Sequence, residues 1–78
     1  MKVSVEISMY PLIENYQSVI HLFLEELKNH KELIVNTNAM STEIYGEYEE
    51  VMQVLEDLIG KRFETVKSVF VLKISNAC

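Results

Sequence analysis

The chain contains 78 residues, a length that corresponds to one small domain spanning residues 1–78. Its formal net charge is −5, and no stripe of lysine or arginine offsets this charge locally. We therefore expect no nucleic-acid partner, because an acidic surface repels the phosphate backbone, whereas a small cationic ligand is compatible with it.

The first residues predict a strand. Polar and apolar residues alternate from Val3 to Tyr10, and Pro11 ends the pattern. This alternation is incompatible with a signal peptide or a membrane-spanning helix, because each requires an unbroken apolar segment. We therefore expect a cytoplasmic protein with no membrane partner.

Glu14 to His30 predicts the first helix. Apolar residues recur there at the spacing of one helix face. The charged residues Glu25, Glu26 and Lys28 are expected on the opposite, solvent-facing side.

Two short strands and a second helix are predicted next. The strands span Leu33 to Asn38 and Ser41 to Tyr45, and Gly46 is expected to break the second of them. The helix begins with the acidic turn Glu47 to Glu50, which places negative charge near its positive end, and it closes near residues 60–63.

The last predicted strand, Ser68 to Ser75, is apolar on both sides. Its alternating residues are Val69 and Val71 on one side and Phe70, Leu72 and Ile74 on the other. A strand of this kind indicates that the second face or the edge of its sheet is also covered. Self-association is the simplest covering, so we expect at least a dimer.

The order β-α-β-β-α-β predicts an α+β, ferredoxin-like sandwich. Its antiparallel sheet has four strands in the order 4-1-3-2, with both helices on one face. If Val3, Val5 and Ile7 meet the helices, then Glu6 lies on the open face. Because the first and third strands are neighbours, Glu6 is also expected close to the strand at residues 41–45.

No catalytic or metal-binding constellation is found in the sequence. His21 and His30 are best interpreted as surface residues of the first helix, and a metal site would need several converging ligands. The sole arginine, Arg62, is in or after the second helix rather than in a phosphate-binding loop before the first. Cys78, the only cysteine, can form no internal disulfide, fits a reducing cytoplasm, and is expected to be dispensable. We predict no enzyme activity, no metal and no cofactor.

The segment from Asn36 to Thr42 crowds amides and hydroxyls at a hairpin where Asn-Gly or Asp-Gly would be usual. Such side chains compete with the backbone for hydrogen bonds. Two interpretations follow from the residues alone. The group is either part of a hydrated sheet face with scattered polar side chains, or it holds a polar ligand.

Three segments resemble the YkoF-like family of small thiamine-binding proteins. They are VSVEISMYPL, NTNAMSTEIYGEYEEVM and SVFVLKIS. The similarity covers nearly the whole chain, and N-A-M-S-T followed by G-E-Y is its most specific part. The resemblance implies a ferredoxin-like domain that binds thiamine or its hydroxymethylpyrimidine moiety without catalysis. It also implies homodimers that form through the sheet and pair further into homotetramers, or tandem duplicated domains within one chain.

The resemblance also implies a set of ligand-binding residues. They are Glu6, Ser8, Asn38, Met40, Ser41, Thr42, Ile44 and Tyr45. Glu6 is expected to accept a charge-assisted hydrogen bond from the aminopyrimidine, and the hairpin supplies further donors and acceptors. Met40, Ile44 and Tyr45 are expected to pack against the rings, although Met40 and the tyrosines cannot all point into one pocket. The alternative function is an oligomeric interaction domain with no specific small-molecule ligand.

Overall fold

The computed structural model describes residues 1–77 and confirms the predicted fold. The elements are β1 (Lys2–Pro11), α1 (Tyr16–Lys28), β2 (Ile34–Thr37), β3 (Thr42–Glu47), α2 (Tyr48–Thr65) and β4 (Ser68–Ser75). The strands form one antiparallel sheet in the order β2-β3-β1-β4, which is the predicted ferredoxin-like arrangement. Neither helix in this part of the chain is long and apolar enough to span a membrane. Cys78 and the prediction made for it lie outside the described residues.

The helix-covered face of the sheet carries the core. Alternate residues of β1 and β3 pack there against the apolar stripes of both helices. The most deeply buried of these side chains are Val5, Phe23, Leu27, Ile44, Val51 and Leu55. Phe23 of α1 also packs against Phe70 of β4, with ring centroids 5.3 Å apart. This continuous cluster fixes the helices over the sheet and thereby positions the hairpin that joins β2 to β3.

Gly46 lies inside β3, so the prediction that it breaks the third strand is wrong. Its φ is not positive, and a turn is therefore not the reason for glycine here. A Cβ added at this position would lie 2.9 Å from Leu33 Cδ2 and 3.2 Å from Val51 Cγ2. Gly46 is needed because β3, the start of β2 and helix α2 approach one another closely.

The open face of the sheet has a mixed surface. Residues paired across neighbouring strands share a face, so Glu6, Glu43 and Lys73 lie together near its centre. Val69 and Val71 lie on the same face beside them and are about half exposed. The predicted placement of Val69 and Val71 on one side of the last strand is confirmed, and the covering of this face stays a prediction.

A buried ion pair joins the two helices. Arg62 of α2 is only 7% exposed, and its Nη1 lies 3.2 Å from Oε1 of Glu26 on α1. Nζ of Lys61 lies 3.7 Å from the other oxygen of the same carboxylate. The prediction that Glu26 occupies the solvent face of α1 is therefore wrong, because α2 packs over this position and supplies two cations there.

Candidate functional site

A cleft of 490 Å³ opens between β1, α1 and the β2–β3 hairpin, and we call it the hairpin cleft. Its lining consists of residues 7–11 of β1, Tyr16, Ile20, Phe23 and Leu24 of α1, and residues 38–42 of the hairpin. The cleft lies at the end of the helix layer, where the start of α1 and the hairpin extend beyond the packed centre of the sheet. Clefts of about 300–1,000 Å³ with mostly apolar walls are typical of small-molecule sites.

Asn38 determines the shape of the hairpin. Its backbone N–H donates to the carbonyl of Ser41 at 3.0 Å. Its side-chain Oδ1 accepts from the backbone N–H groups of Met40 at 2.8 Å and Ser41 at 2.9 Å. An asparagine that closes a turn onto its own backbone in this way explains why the sequence lacks Asn-Gly or Asp-Gly here. The crowding of amides and hydroxyls is thus partly structural.

Neutral polar groups provide the hydrogen-bonding capacity of the hairpin cleft. Asn38, Ser41 and Thr42 line it, and Thr42 is buried. Ser8 also lines it, but it shares the open face of the sheet with Val71, its partner on β4. None of the lining residues is an aspartate, glutamate, lysine, arginine or histidine. The oxygen of Asn38 is already used within the turn, so its amide nitrogen is the group left to donate to a ligand. The arrangement suits a flat, uncharged ring that both donates and accepts hydrogen bonds.

Glu6 lies on the opposite side of the sheet from the hairpin cleft. Its carboxylate is on the open face, where Oε1 is 3.7 Å from Nζ of Lys73, and its side chain is 47% exposed. Glu43 is its direct cross-strand neighbour on β3. With Tyr45 these residues line a shallow hollow of 240 Å³, which we call the sheet hollow. The expected proximity of Glu6 to the third strand is confirmed, although this proximity does not bring it to the hairpin.

The residues assigned to the ligand from sequence therefore separate into three locations. Those in the hairpin cleft are Ser8, Asn38, Met40, Ser41 and Thr42. Glu6 and Tyr45 lie in the sheet hollow, and Ile44 is fully buried in the core with no exposed surface. Which of them contact a ligand stays a prediction.

Helix α1 contributes residues to the hairpin cleft that sequence reasoning assigned only to the core. Tyr16, Ile20 and Phe23 belong to its apolar stripe, and all three line the cleft. Tyr16 is nevertheless about half exposed, because it begins the helix beyond the edge of the packed core. The apolar stripe of α1 continues to its first residue, and this feature of the sequence could have indicated that α1 forms a wall of the hairpin cleft.

The described residues contain no candidate metal centre. No group of three or more histidine, cysteine, aspartate or glutamate side chains within residues 1–77 is close enough to hold an ion. His21 pairs with Glu25 at 3.0 Å on the exposed side of α1, and His30 pairs with Glu32 at 3.5 Å. Both histidines have local carboxylate partners and lie outside the two hollows.

Comparisons with known proteins agree with this architecture. A sequence model described as the YKOF-related family matches residues 2–78. No curated protein matches the chain at a significant level. Among solved structures, a proposed thiamine biosynthesis/salvage protein from Thermotoga maritima has a TM-score of 0.85 at 24% identity, over 96% of this chain and 83% of that one.

Two further solved structures are similar over nearly the whole chain. A hypothetical protein from Methanocaldococcus jannascii gives a TM-score of 0.83 at 28% identity, covering 99% of this chain and 81% of that one. A protein from Streptococcus pneumoniae gives 0.90 at 20% identity, covering 100% of this chain and 89% of that one. These structures show the same fold.

Proposed function

This chain belongs to the YKOF-related family, and we propose that it binds thiamine, or the hydroxymethylpyrimidine half of thiamine, without catalysing a reaction on it. The observation that carries the proposal is the position of the N-A-M-S-T segment, whose residues form one wall of the hairpin cleft. The solved structure from Thermotoga maritima, proposed to act in thiamine biosynthesis or salvage, supports the same role. The function would then be salvage, delivery or sensing of the vitamin in the cytoplasm.

The chemistry of the hairpin cleft favours the pyrimidine half as the group that enters it. An aminopyrimidine is flat and carries one donor group and two ring acceptors, which match the amide of Asn38 and the hydroxyls of Ser41 and Thr42. Phe23, Met9 and Tyr16 provide apolar and aromatic surface for a ring. Binding would therefore use hydrogen bonds and ring packing.

The positive thiazolium ring of thiamine has no carboxylate partner in this cleft. Burying an unpaired charge is costly, so the thiazolium would remain at the solvent-exposed mouth. Tyr16, about half exposed, lies among the lining residues and would face it there. On this view the affinity depends mainly on the pyrimidine.

Calorimetric titration with three compounds tests the proposal. Thiamine and free hydroxymethylpyrimidine should both bind, and the hydroxyethylthiazole half of thiamine should serve as the non-binding control. Each binding compound should also raise the melting temperature, because a ligand that binds only the folded state stabilises it. Absence of binding by both pyrimidine compounds would contradict the proposal.

A second function is favoured by the open sheet face. Ile34 on one edge strand and Val69 and Val71 on the other are exposed there, on a face that also carries Glu6 and Lys73 and no layer of helices. This mixed surface supports a homodimer formed through the sheet, with homotetramers as a further step. An oligomeric interaction domain and a ligand-binding protein are compatible, and sedimentation velocity with and without thiamine would show whether assembly depends on the ligand.

A further inference from the structure

A second apolar hollow lies on the side of α1 that faces away from the hairpin cleft, and we call it the helix groove. It has a volume of 600 Å³ and lies between the β1–α1 connection, α1 and the C-terminal end of α2. Leu12, Ile13 and Leu22 line it and are all exposed, which is an unusual concentration of large apolar side chains outside the sheet. Nothing in the thiamine proposal uses this surface.

The helix groove differs from the rest of the molecule in its charge. Arg62 and Lys67 line it, and no aspartate or glutamate does, although the chain as a whole has a net charge of −5. Among residues 1–77, Glu26 is the one carboxylate paired with Arg62, and Lys61 shares that same carboxylate. Lys67 is exposed and forms no ion pair within residues 1–77, so its charge is available to a ligand in the groove.

The guanidinium of Arg62 is incompletely satisfied. Its Nε and Nη1 are buried without a hydrogen-bond partner, and the contact of Nη1 with Glu26 at 3.2 Å is an ion pair without hydrogen-bond geometry. A buried cation with unpaired donors is rare, because desolvated N–H groups need acceptors. A side chain that is more than nine-tenths buried and also lines the groove is a fixed cationic wall, not a mobile surface arginine.

Hydrogen bonds hold the walls of the helix groove in place. The backbone N–H of Leu12 donates to the carbonyl of Lys67 at 2.8 Å, which links the β1–α1 connection to the segment before β4. The hydroxyl of Thr65 donates to the carbonyl of Arg62 at 3.2 Å. A preformed groove of this kind loses little conformational entropy when a ligand enters.

We propose that the helix groove binds a small amphipathic carboxylate, with its apolar body against Leu12, Ile13 and Leu22 and its acid group toward Arg62 and Lys67. Charge complementarity selects the anion, since the lining has two cations and no acid. Lys67, which is exposed, supplies the charge that the carboxylate can reach, and Arg62, whose Nε and Nη1 are buried, adds positive charge from the wall. The apolar walls require an uncharged remainder. Because α1 separates the two hollows, this site is independent of the proposed thiamine site.

Titration of octanoate into the isotope-labelled protein, followed by amide NMR, tests the proposal. Octan-1-ol is the matched control, because it has the same chain length without the charge. Octanoate should produce saturable shifts at Ser18, Leu22 and residues 65–67, and octan-1-ol should bind more weakly. Saturating thiamine should leave these shifts unchanged.

Two variants identify the charge that is responsible. Lys67→Met keeps an unbranched stem and should weaken octanoate binding about five-fold, the loss typical of a partly exposed ion pair. Lys28→Met, at an exposed lysine outside the groove, should have no effect. Equal binding of octan-1-ol, competition by thiamine, or no effect of Lys67→Met would overturn the proposal. A second copy of the chain could cover the groove instead. Dissociation of an oligomer by Leu22→Lys, measured by sedimentation velocity, would show this and would also overturn the proposal.

Discussion

The two faces of the sheet are formed by the same strands but differ in how deeply their side chains are buried. On the helix-covered face, residues such as Val5 and Ile44 are almost completely buried and belong to the apolar core. On the open face, the adjacent residues Glu6 and Tyr45 share a surface with Lys73 and Val71. One position along a strand therefore separates a residue that stabilises the fold from one that is available to a partner.

This difference determines how the candidate site should be interpreted. Strand order brings Glu6 next to β3, but the alternation of side chains places it on the face opposite the hairpin cleft. Hairpin residues 38–41 lie beyond the ends of β2 and β3, so strand alternation does not restrict them. Two residues on neighbouring strands can therefore be close in the sheet and still belong to different sites.

The largest expected effect comes from substituting isoleucines on opposite faces of adjacent strands. Ile44 is fully buried, whereas Ile34 is 63% exposed. Ile44→Ala should lower the free energy of unfolding by about 2–5 kcal/mol because it leaves a cavity in the core. Ile34→Ala should change it by less than about 0.5 kcal/mol in the monomer. Urea denaturation of both variants measures the difference, and similar losses for the two would show that the open face is also buried.

Ligand affinity separates the hairpin cleft from the sheet hollow. Thr42→Val should weaken pyrimidine binding by about 1–3 kcal/mol, because the buried hydroxyl would no longer pair with the ligand. Thr37→Val is the control, since Thr37 is exposed and outside the cleft. Glu6→Gln should leave the affinity unchanged. A loss of about 2–5 kcal/mol in Glu6→Gln, as expected when a buried charged contact is truncated, would instead locate the ligand in the sheet hollow.

Assembly through the open face can be tested by adding charge to an apolar residue of that face. The protein should be at least a dimer in light scattering at micromolar concentration. Val71→Lys should weaken the dimer by about ten-fold or more, because a symmetric interface brings the new charge in twice. Tyr48→Lys, an exposed position at the start of α2, should leave assembly intact. A wild-type monomer would refute this prediction.

The hairpin provides a smaller stability effect. Asn38→Ala removes the acceptor of two backbone N–H groups and should lower the free energy of unfolding by about 1 kcal/mol, since the hairpin is solvent-exposed. Asn36→Ala, on the neighbouring strand, should have almost no effect. Thermal denaturation of the two variants checks this. Equal stability of both would mean that the turn holds its shape without the side chain of Asn38.

The smallest expected effect concerns Glu47, at the boundary between β3 and α2. The N-terminal ammonium donates a hydrogen bond to Oε2 at 2.9 Å, and together with Lys2 it lowers the pKa of this carboxyl below 4.5. Because the folded-state pKa is lowered, the ionised carboxylate stabilises the fold above pH 4.5, and this contribution is lost as the pH falls through the lower value.

Comparison of the wild type with Glu47→Gln measures this contribution. Their melting temperatures should differ slightly near neutral pH and converge in acid. Glu64→Gln, at an exposed carboxyl of α2 outside these contacts, is the control. A difference between wild type and Glu47→Gln that persists or grows in acid would contradict the assignment.

The fold could be predicted from the sequence because its signals are periodic. Alternation from Val3 onward identified the two faces of β1, and the spacing of apolar residues identified both helices. The ion pair of Glu26 with Arg62 could not be predicted, because it depends on where α2 crosses α1 rather than on either helix alone. The separation of Glu6 from the hairpin cleft could not be predicted either. It depends on the side of the sheet toward which the chain turns after β2, and strand alternation does not determine this.

The close approach around Gly46 has a consequence for how the chain finds its alignment. If β3 slipped by one residue during folding, Tyr45 or Glu47 would occupy the place where even a methyl group would lie 2.9 Å from Leu33. A slip would also turn Ile44 toward solvent, so both steric exclusion and burial oppose it. β2 is a short strand at the edge of the sheet and has few contacts of its own to prevent such an error. Gly46 thus helps to select the register in which β3 pairs with its neighbouring strands.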